Sequence, residues 1–309
     1  MKITATFLDE ITYDIPSQNW GYKQWDQDFA AMKSIGIDTV VQIRGGHNKF
    51  MTYPSKVMAK MENCFMPSVD LVQMFLDLSQ KYQMKFYFGN YCSHYFLQGK
   101  YQKDIDVNLA VIEEFYQFYG RHPAFGGWYL TQEISRLTPG IVEVLGTLGR
   151  FAKQLSGNLP VMISPFIDGV KNVSQFSGQL CKESGVGVEE HAKEWDYILA
   201  SLQGAVDIFA FQDGACEIGE LKEYMAANQE IALRYGMSCW TNCETFDRDM
   251  PIKFLPINWE KMLIKLKVAE ELKLDKAITF EFSHFMSPNS CYLQARALFE
   301  RYCEYFNFR

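Results

Sequence analysis

The chain has 309 residues, of which 48% are hydrophobic and 22% are charged, values typical of a globular protein with one large or two small domains. Its net charge of -7 argues against a nucleic-acid or anionic-membrane partner, because either would favour a basic surface. No stretch reaches the roughly 20 apolar residues of a membrane span. These properties favour a neutral or weakly charged ligand.

Eight apolar or β-rich runs recur along the chain, each with polar residues at its end. They are ITATFLDE (3–10), TVVQIRG (39–45), KFYFGNY (85–91), FGGWYLTQE (125–133), PVMISPF (160–166), VDIFAFQDG (206–214), SCWTNCETF (238–246) and KAITFEFSHF (276–285). Amphipathic segments with a helical period separate these runs. The later helices are predicted at 138–155, 188–203, 217–235, 258–273 and 289–305. Thr138 and Asn258 are candidate N-caps.

Strict alternation of buried strands with helices predicts a parallel sheet, and eight such units in about 300 residues favour a closed barrel. We therefore predict an α/β fold, with residues 1–309 forming a single (β/α)8 TIM barrel domain. Long loops are expected on its active face near 46–67 and 167–187. An open doubly wound sheet more often has a glycine-rich phosphate loop after its first strand, and FLDEITYD contains no glycine.

Polar residues collect at the predicted strand ends, where barrel enzymes carry out their chemistry. Burying many ionisable groups together is costly unless a ligand, a metal or mutual pairing offsets it, so this ring predicts a functional site. For any single carboxylate, an ion pair with a neighbour such as Arg44 is an equally good interpretation. The predicted substrate-binding residues, including aromatic platforms for a sugar, are Asp9, Arg44, Asn90, Tyr91, Tyr129, Gln132, Gln212, Asp213, Trp240, Asn242, Glu281 and His284. Trp128 is a further candidate platform.

Glu133 and Glu244 close the fourth and seventh predicted strands. Cleaving a glycosidic bond needs one carboxylic acid to protonate the leaving oxygen and one carboxylate to attack the anomeric carbon or activate water. We predict Glu133 as the general acid/base, its pKa raised by burial and by its like-charged neighbour, and Glu244 as the nucleophile. A carboxyl separation of about 5 to 5.5 Å would give retention and one of roughly 6.5 to 9.5 Å inversion.

The strands GGWYLTQE and CWTNCE resemble the acid/base and nucleophile strands of the clan A glycoside hydrolases, whose two catalytic glutamates end strands four and seven. Arg44 matches an arginine common near the end of strand two in that clan, whereas Gln132 replaces the asparagine that commonly precedes the acid/base glutamate. The resemblance implies a hydrolase that acts on a glycan through Glu133 and Glu244, and we expect retention.

The opening FLDEITYDIPSQNWGYKQWDQDFAAMKSIGIDTVVQIR is similar to the start of an uncharacterised bacterial barrel family, domain of unknown function 4434. This similarity extends over the whole chain. The family is regarded as glycosidase-like, and many of its members come from gut bacteria that export polysaccharide-degrading proteins. The second resemblance therefore implies the same fold and, by analogy, a carbohydrate substrate.

Two other functions compete with a hydrolase. A metal-dependent sugar isomerase or aldolase could use Glu133, Asp213, Glu244, Glu281 and His284 as ligands. A non-catalytic carbohydrate-binding barrel could use the same aromatic residues without catalysis. Three metal ligands around one point would favour the first alternative, and glutamates turned away from the cleft would favour the second.

The eight cysteines show neither a CxxC pair nor zinc-type spacing to histidine, so mostly free thiols, no structural zinc and no cofactor are predicted. His47 and His94 follow strands two and three on the active side, and His284 lies at a strand end. The chain is compatible with a cytoplasmic location, and equally with periplasmic or secreted export followed by signal-peptide removal. The oligomeric state stays open.

Overall fold

The computed structural model describes residues 1–12, 15–169, 185–247 and 254–308. At its centre, eight parallel strands close into a barrel. In chain order they are β1 (Ile3–Leu8), β2 (Thr39–Gln42), β3 (Lys85–Gly89), β4 (Phe125–Tyr129), β5 (Val161–Ile163), β6 (Ile208–Gln212), β7 (Ser238–Asn242) and β8 (Lys276–Thr279).

Each barrel strand pairs in parallel with the next one along the chain, and β8 returns to pair with β1. Ala5 of β1, for example, lies opposite Thr39 of β2 on one side and Ile278 of β8 on the other. The closed order confirms the predicted (β/α)8 TIM barrel. The strands are shorter than the predicted runs, so Glu133 lies in the loop after β4 and Glu244 in the loop after β7.

Helices follow the strands and surround the barrel. They are α1 (Tyr22–Ser34), α2 (Lys56–Glu62), α3 (Leu71–Lys81), α4 (Tyr101–Tyr119), α5 (Ile141–Ser156), α6 (Val188–Ser201), α7 (Leu221–Arg234), α8 (Trp259–Glu271), α9 (Phe282–Phe285) and α10 (Leu293–Phe306). The predicted cap Asn258 is confirmed, since its side chain accepts a hydrogen bond from the N–H of Glu260 at 2.9 Å. Thr138 is not a cap, because α5 begins at Ile141 after Gly140.

Two apolar layers stabilise this architecture. Inside the barrel, side chains such as Phe7, Met162 and Trp240 fill the lumen. Outside it, a larger cluster that includes Trp128 and Trp195 fills the space between the strands and the helices. Removing this much apolar surface from water is the dominant favourable term in folding, and it fixes the rigid ring of strand ends on which the site is built.

Short elements shape the loops on the carboxyl side of the strands. Residues Gly46–His47 pair with Phe50–Met51 and with Tyr91–Cys92, so the loops after β2 and β3 form a small three-stranded sheet. Within the predicted loop 46–67, α2 follows these strands. Most of the other predicted loop, at 170–184, lies outside the described residues. In the part of the chain that the structure describes, no helix has the length and apolarity to span a membrane.

Candidate active site

A narrow pit of about 60 Å³ opens where the barrel strands end. Side chains from most of the strands reach it, as expected for the carboxyl face of a (β/α)8 barrel. The pit is lined by Phe7, Thr12, Ile15, Ile43, Arg44, Tyr129, Glu133, Ser164, Gln212, Asn242, Glu244, Phe246, Phe254 and Phe280. Six residues of the predicted site therefore share one cavity, namely Arg44, Tyr129, Glu133, Gln212, Asn242 and Glu244.

Glu133 and Glu244 differ in exposure. The side chain of Glu133 is 35% exposed, whereas Glu244 as a residue is only 2% exposed. The backbone N–H of Glu244 donates to Oδ1 of Asp213 at 3.2 Å, and Nζ of Lys265 donates to the backbone carbonyl of Glu244 at 3.2 Å. Glu244 is thus held on a fixed backbone, while Glu133 lies at the open side of the pit.

Arg44 contacts two acidic residues, Glu133, which lines the pit, and the buried Asp9, which does not. Its Nη2 atom lies 3.5 Å from Oε1 of Glu133, its Nη1 atom lies 3.6 Å from Oδ2 of Asp9, and Nη1 also donates to Oγ1 of Thr12 at 2.5 Å. Burial alone would lower the pKa of Arg44, but the negative charge of Glu133 and smaller contributions from neighbours such as Asp9 together outweigh burial, and the pKa rises. Arg44 is therefore a permanent positive charge next to Glu133.

Several polar side chains in the pit bond to one another, and two of their atoms have no bond. The amide of Gln212 donates to the backbone carbonyl of Ser164 at 2.7 Å, and the amide of Asn242 donates to the Ser164 hydroxyl at 3.1 Å. Within the described residues, the Tyr129 hydroxyl and Oδ1 of Asn242 have no hydrogen-bond partner. Burial, reinforced by the negative charge of Glu133, holds the pKa of Tyr129 well above its usual value, so its hydroxyl stays protonated and can donate.

The aromatic wall of the pit differs from the predicted one. The predicted Tyr129 lines the pit together with Phe7, Phe246, Phe254 and Phe280, and these four phenylalanines were not among the predicted site residues. Phe246 closes the predicted run of strand seven, and Phe280 lies in the middle of the predicted run of strand eight, directly after the point where β8 ends at Thr279. Their position beside strand-end carboxylates was the available signal, but phenylalanine in a strand more often fills the core.

Three predicted sugar platforms lie away from the pit. Trp240 fills the barrel lumen, and its ring nitrogen donates to the hydroxyl of Ser238 at the start of β7, at 2.9 Å. Trp128 packs against the helices, with its ring nitrogen bonded to Ser156 at 3.0 Å. Tyr91 is buried and donates its hydroxyl to the backbone carbonyl of Asn48 at 2.8 Å. Large aromatic residues here fill the two apolar layers.

Asn90 and Gln132 support the loops instead of lining the pit. The side-chain oxygen of Asn90 accepts from the N–H of Thr131 at 2.7 Å, and the amide of Gln132 donates to Asp104 at 3.0 Å. Both residues are buried. They fix the path of the chain that leads to Glu133.

Glu281 and His284 form a buried pair in α9, and neither lines the pit. The carboxylate of Glu281 caps this helix by accepting the N–H groups of Ser283 and His284, at 3.0 and 2.7 Å. Nδ1 of His284 bonds to Glu281, and Nε2 bonds to the carbonyl of Pro16 at 2.6 Å. Burial opposes the charged form, but the charge and hydrogen bond of Glu281, with smaller contributions from the Pro16 carbonyl and Asp9, together raise the pKa of His284 to about 9.

A wider groove of about 590 Å³ adjoins the pit. Arg44 and Glu133 line both cavities, so the two spaces meet at these side chains. The rest of the groove comes from the loops after β3 and β4, including Cys92, His94 and Arg136. Burial, with a contribution from the positive charge of Arg44, lowers the pKa of His94.

Candidate metal ligands form one group in the described parts of the chain. His47, Cys92 and His94 place one ligand atom each within 4.8 Å of the others. The five ligands of the predicted isomerase or aldolase alternative form no such group among the described residues. Asp213 pairs with Lys265, and Glu281 pairs with His284.

A family model described as "Domain of unknown function (DUF4434)" matches residues 3–292. No curated protein matches the chain. A crystal structure from Bacteroides thetaiotaomicron VPI-5482, described as a "putative alpha-L-fucosidase", is 51% identical, with a TM-score of 0.94 over 100% of this chain and 94% of the other.

More distant barrels are similar in fold alone. The endo-1,4-beta-D-mannanase of Thermotoga petrophila RKU-1 is 12% identical, with a TM-score of 0.57 over 91% of this chain and 88% of the other. The GH10 xylanase of Thermobacillus composti is 11% identical, with a TM-score of 0.51 over 90% and 83% of the two chains.

Proposed function

The chain belongs to the DUF4434 family, and on this premise we propose that it is a glycoside hydrolase in which Glu133 is the general acid/base and Glu244 the nucleophile. The observation that carries the proposal is that two glutamates from loops far apart in the sequence line one pit at the barrel mouth. A glycosidic bond held between two carboxyl groups is the arrangement that this chemistry needs.

The surroundings of the two glutamates support the division of roles. A nucleophile must be held in line with the anomeric carbon, and the Asp213 and Lys265 contacts hold the backbone of Glu244. A general acid must reach the leaving oxygen, and Glu133 lies where the pit meets the groove. The sugar to be transferred would occupy the pit, and the leaving group would occupy the groove.

The reaction would proceed in two displacements. The carboxylate of Glu244 attacks the anomeric carbon and forms a glycosyl ester, while Glu133 gives its proton to the departing oxygen. Water then attacks the same carbon, Glu133 takes a proton from that water, and the ester bond to Glu244 breaks. The configuration at the anomeric carbon is inverted twice and so retained.

The substrate is a carbohydrate whose hydroxyls bond to the Tyr129 hydroxyl, Gln212 and Asn242. The relative from Bacteroides thetaiotaomicron carries the description "putative alpha-L-fucosidase", so an aryl α-L-fucoside is the first substrate to test. The mannanase and xylanase likenesses add aryl β-mannosides and β-xylosides to the panel. The freed aryl alcohol measures turnover, and NMR of the first-formed sugar measures retention.

The decisive variants are Glu133→Gln and Glu244→Gln, which keep the size of the side chain and remove its acidity. Each should lower kcat/KM by about 10³-fold or more on a substrate that the wild type cleaves. A strongly acidic aryl leaving group should restore glycosyl-enzyme formation in Glu133→Gln but not in Glu244→Gln, because that group departs without protonation. The matched control is Glu230→Gln on α7, where the residue forms an exposed ion pair with Arg234.

An unchanged rate in Glu244→Gln would remove this residue from the mechanism. Saturable sugar binding without turnover on the whole panel would support a carbohydrate-binding barrel in place of a hydrolase. First-formed product of inverted configuration would leave both glutamates in use but replace the ester intermediate by direct attack of water.

A further inference from the structure

We propose that His47, Cys92 and His94 bind one transition-metal ion, zinc, in the wall of the groove beside the proposed acid/base. The three residues come from the loops after β2 and β3, and no ligand of this site belongs to the proposed catalytic pair. The inference is therefore independent of the proposed hydrolase function.

Strand pairing brings the first two ligands together. Residues His47 and Cys92 lie opposite each other in the parallel pairing of Gly46–His47 with Tyr91–Cys92. Opposed residues on neighbouring strands have backbones about 4.8 Å apart and side chains on the same face. His94 follows two residues later with a φ of 56°, and this left-handed backbone lets its ring turn back towards Cys92.

Distances between the ligand atoms suit one ion. The Sγ atom of Cys92 lies 3.7 Å from Nε2 and 3.9 Å from Nδ1 of His94. The rings of His47 and His94 have their centroids 5.1 Å apart and are nearly perpendicular, at 81°. A tetrahedral zinc ion with bonds of about 2.0 to 2.3 Å keeps its ligand atoms about 3.3 to 3.8 Å apart. Small side-chain rotations would therefore enclose an ion.

The ligand types select the class of metal. One thiolate and two imidazoles favour zinc or copper over magnesium or calcium, which prefer oxygen. The nearby positive charge of Arg44 opposes a cation at this place, whereas the negative charges of Glu133 and Asp104 favour one.

Three protein ligands leave a tetrahedral ion with one open position. Cys92 and His94 line the groove, so we expect that position to face the groove. Zinc sites with three protein ligands and one exchangeable position hold water or a substrate atom there. The expected fourth ligand is therefore water or a polar atom of the group bound in the groove.

Calorimetric titration of the chelator-treated full chain with zinc chloride tests the proposal. We expect one zinc ion per chain. Cobalt chloride provides a second readout, because a cobalt–thiolate bond gives a charge-transfer absorption band that histidine or carboxylate ligands do not produce. Both readouts are independent of turnover, so a failed hydrolase assay would leave this test intact.

Variants assign the ligands. Cys92→Ser should abolish the charge-transfer band and weaken zinc binding at least tenfold, and His94→Gln, at a partly exposed position, should weaken zinc binding to a similar extent. Cys291→Ser, at an exposed cysteine, and His122→Gln, on the opposite side of the barrel, are the controls and should bind zinc as the wild type does. Circular dichroism confirms that each variant is folded.

The proposal fails if the wild type binds no zinc, or if zinc binding and the cobalt band persist in folded His94→Gln. It also fails if the exposed Cys291 accounts for the binding, in which case Cys291→Ser loses the band and His94→Gln keeps it.

Discussion

The ammonium group of Lys265 lies 2.7 Å from Oδ1 of Asp213, and both side chains are buried. The same two side chains hold the backbone of Glu244. Lys265 donates to its carbonyl, and Asp213 accepts from its N–H. Burial would lower the pKa of Lys265, but the charge and hydrogen bond of Asp213 together with the negative charge of Glu244 and a contribution from Cys243 outweigh burial, and the pKa rises. The ion pair therefore connects α8 to the loop after β6, and both of its partners bond to the loop that carries the proposed nucleophile.

Lys265→Met should destabilise the fold by about 3 to 5 kcal/mol, because it leaves Asp213 buried without its partner. Urea unfolding measures the loss. The double variant Lys265→Met with Asp213→Leu should recover much of this stability, since an apolar pair removes the uncompensated charge. Its kcat should stay low, because the backbone of Glu244 has lost both contacts. Full activity in the double variant would show that these contacts do not position Glu244.

Arg44→Met should move the basic limb of the kcat/KM profile to higher pH. The positive charge of Arg44, 3.5 Å from Glu133, favours the ionised carboxylate, so its removal makes the acid/base hold its proton to higher pH. Arg136→Met is the control, because Arg136 also lines the groove but pairs with Glu190 and Glu194. A basic limb that stays in place in Arg44→Met would argue against Glu133 as the group that titrates there.

The barrel could be predicted from the sequence because its signal is periodic and repeated. Eight buried runs alternate with amphipathic segments, and the structure contains all eight strands in the predicted order. Six predicted residues share the pit for the same reason, since parallel strand ends converge at one face. Trp240 shows the limit of this reasoning. Trp240 points from β7 into the barrel lumen. Its residue type does not show how far below the mouth of the barrel it lies.

The contacts that the sequence did not predict join residues that lie far apart in the chain or depend on local structure that its pattern did not show. Lys265 comes from the middle of α8, and nothing in its local pattern indicates a contact with Asp213. His47 and Cys92 become neighbours only through a small sheet that joins two loops, so no sequence spacing marks them. Glu281 and His284 were predicted at a strand end, but α9 begins there and turns both side chains into a buried pair.

Folding stability should fall as pH rises from about 6.5 to about 9. Unfolded histidine titrates near pH 6.5, whereas His284 in the folded state, beside Glu281, has a pKa of about 9. Its contribution is therefore complete below the unfolded pKa and disappears as pH passes the folded pKa, amounting to about 3 kcal/mol. Urea unfolding across this range measures the slope. In His284→Gln the free energy of unfolding should depend less steeply on pH. A slope as steep as that of the wild type would mean that another group titrates in this range.

Tyr129→Phe should separate stability from activity. The hydroxyl of Tyr129 is buried and, among the described residues, has no hydrogen-bond partner, so its removal should leave stability unchanged or raise it by about 1 kcal/mol. The same change removes a donor from the pit beside Glu133, and kcat/KM should fall about 10- to 100-fold on a substrate that bonds to it.

Tyr53→Phe is the comparison, because that buried hydroxyl bonds to Glu114 at 3.3 Å, away from the pit. It should lose stability and keep its kcat/KM. If Tyr129→Phe loses stability and keeps its rate, the hydroxyl has a structural role and the ligand does not contact it.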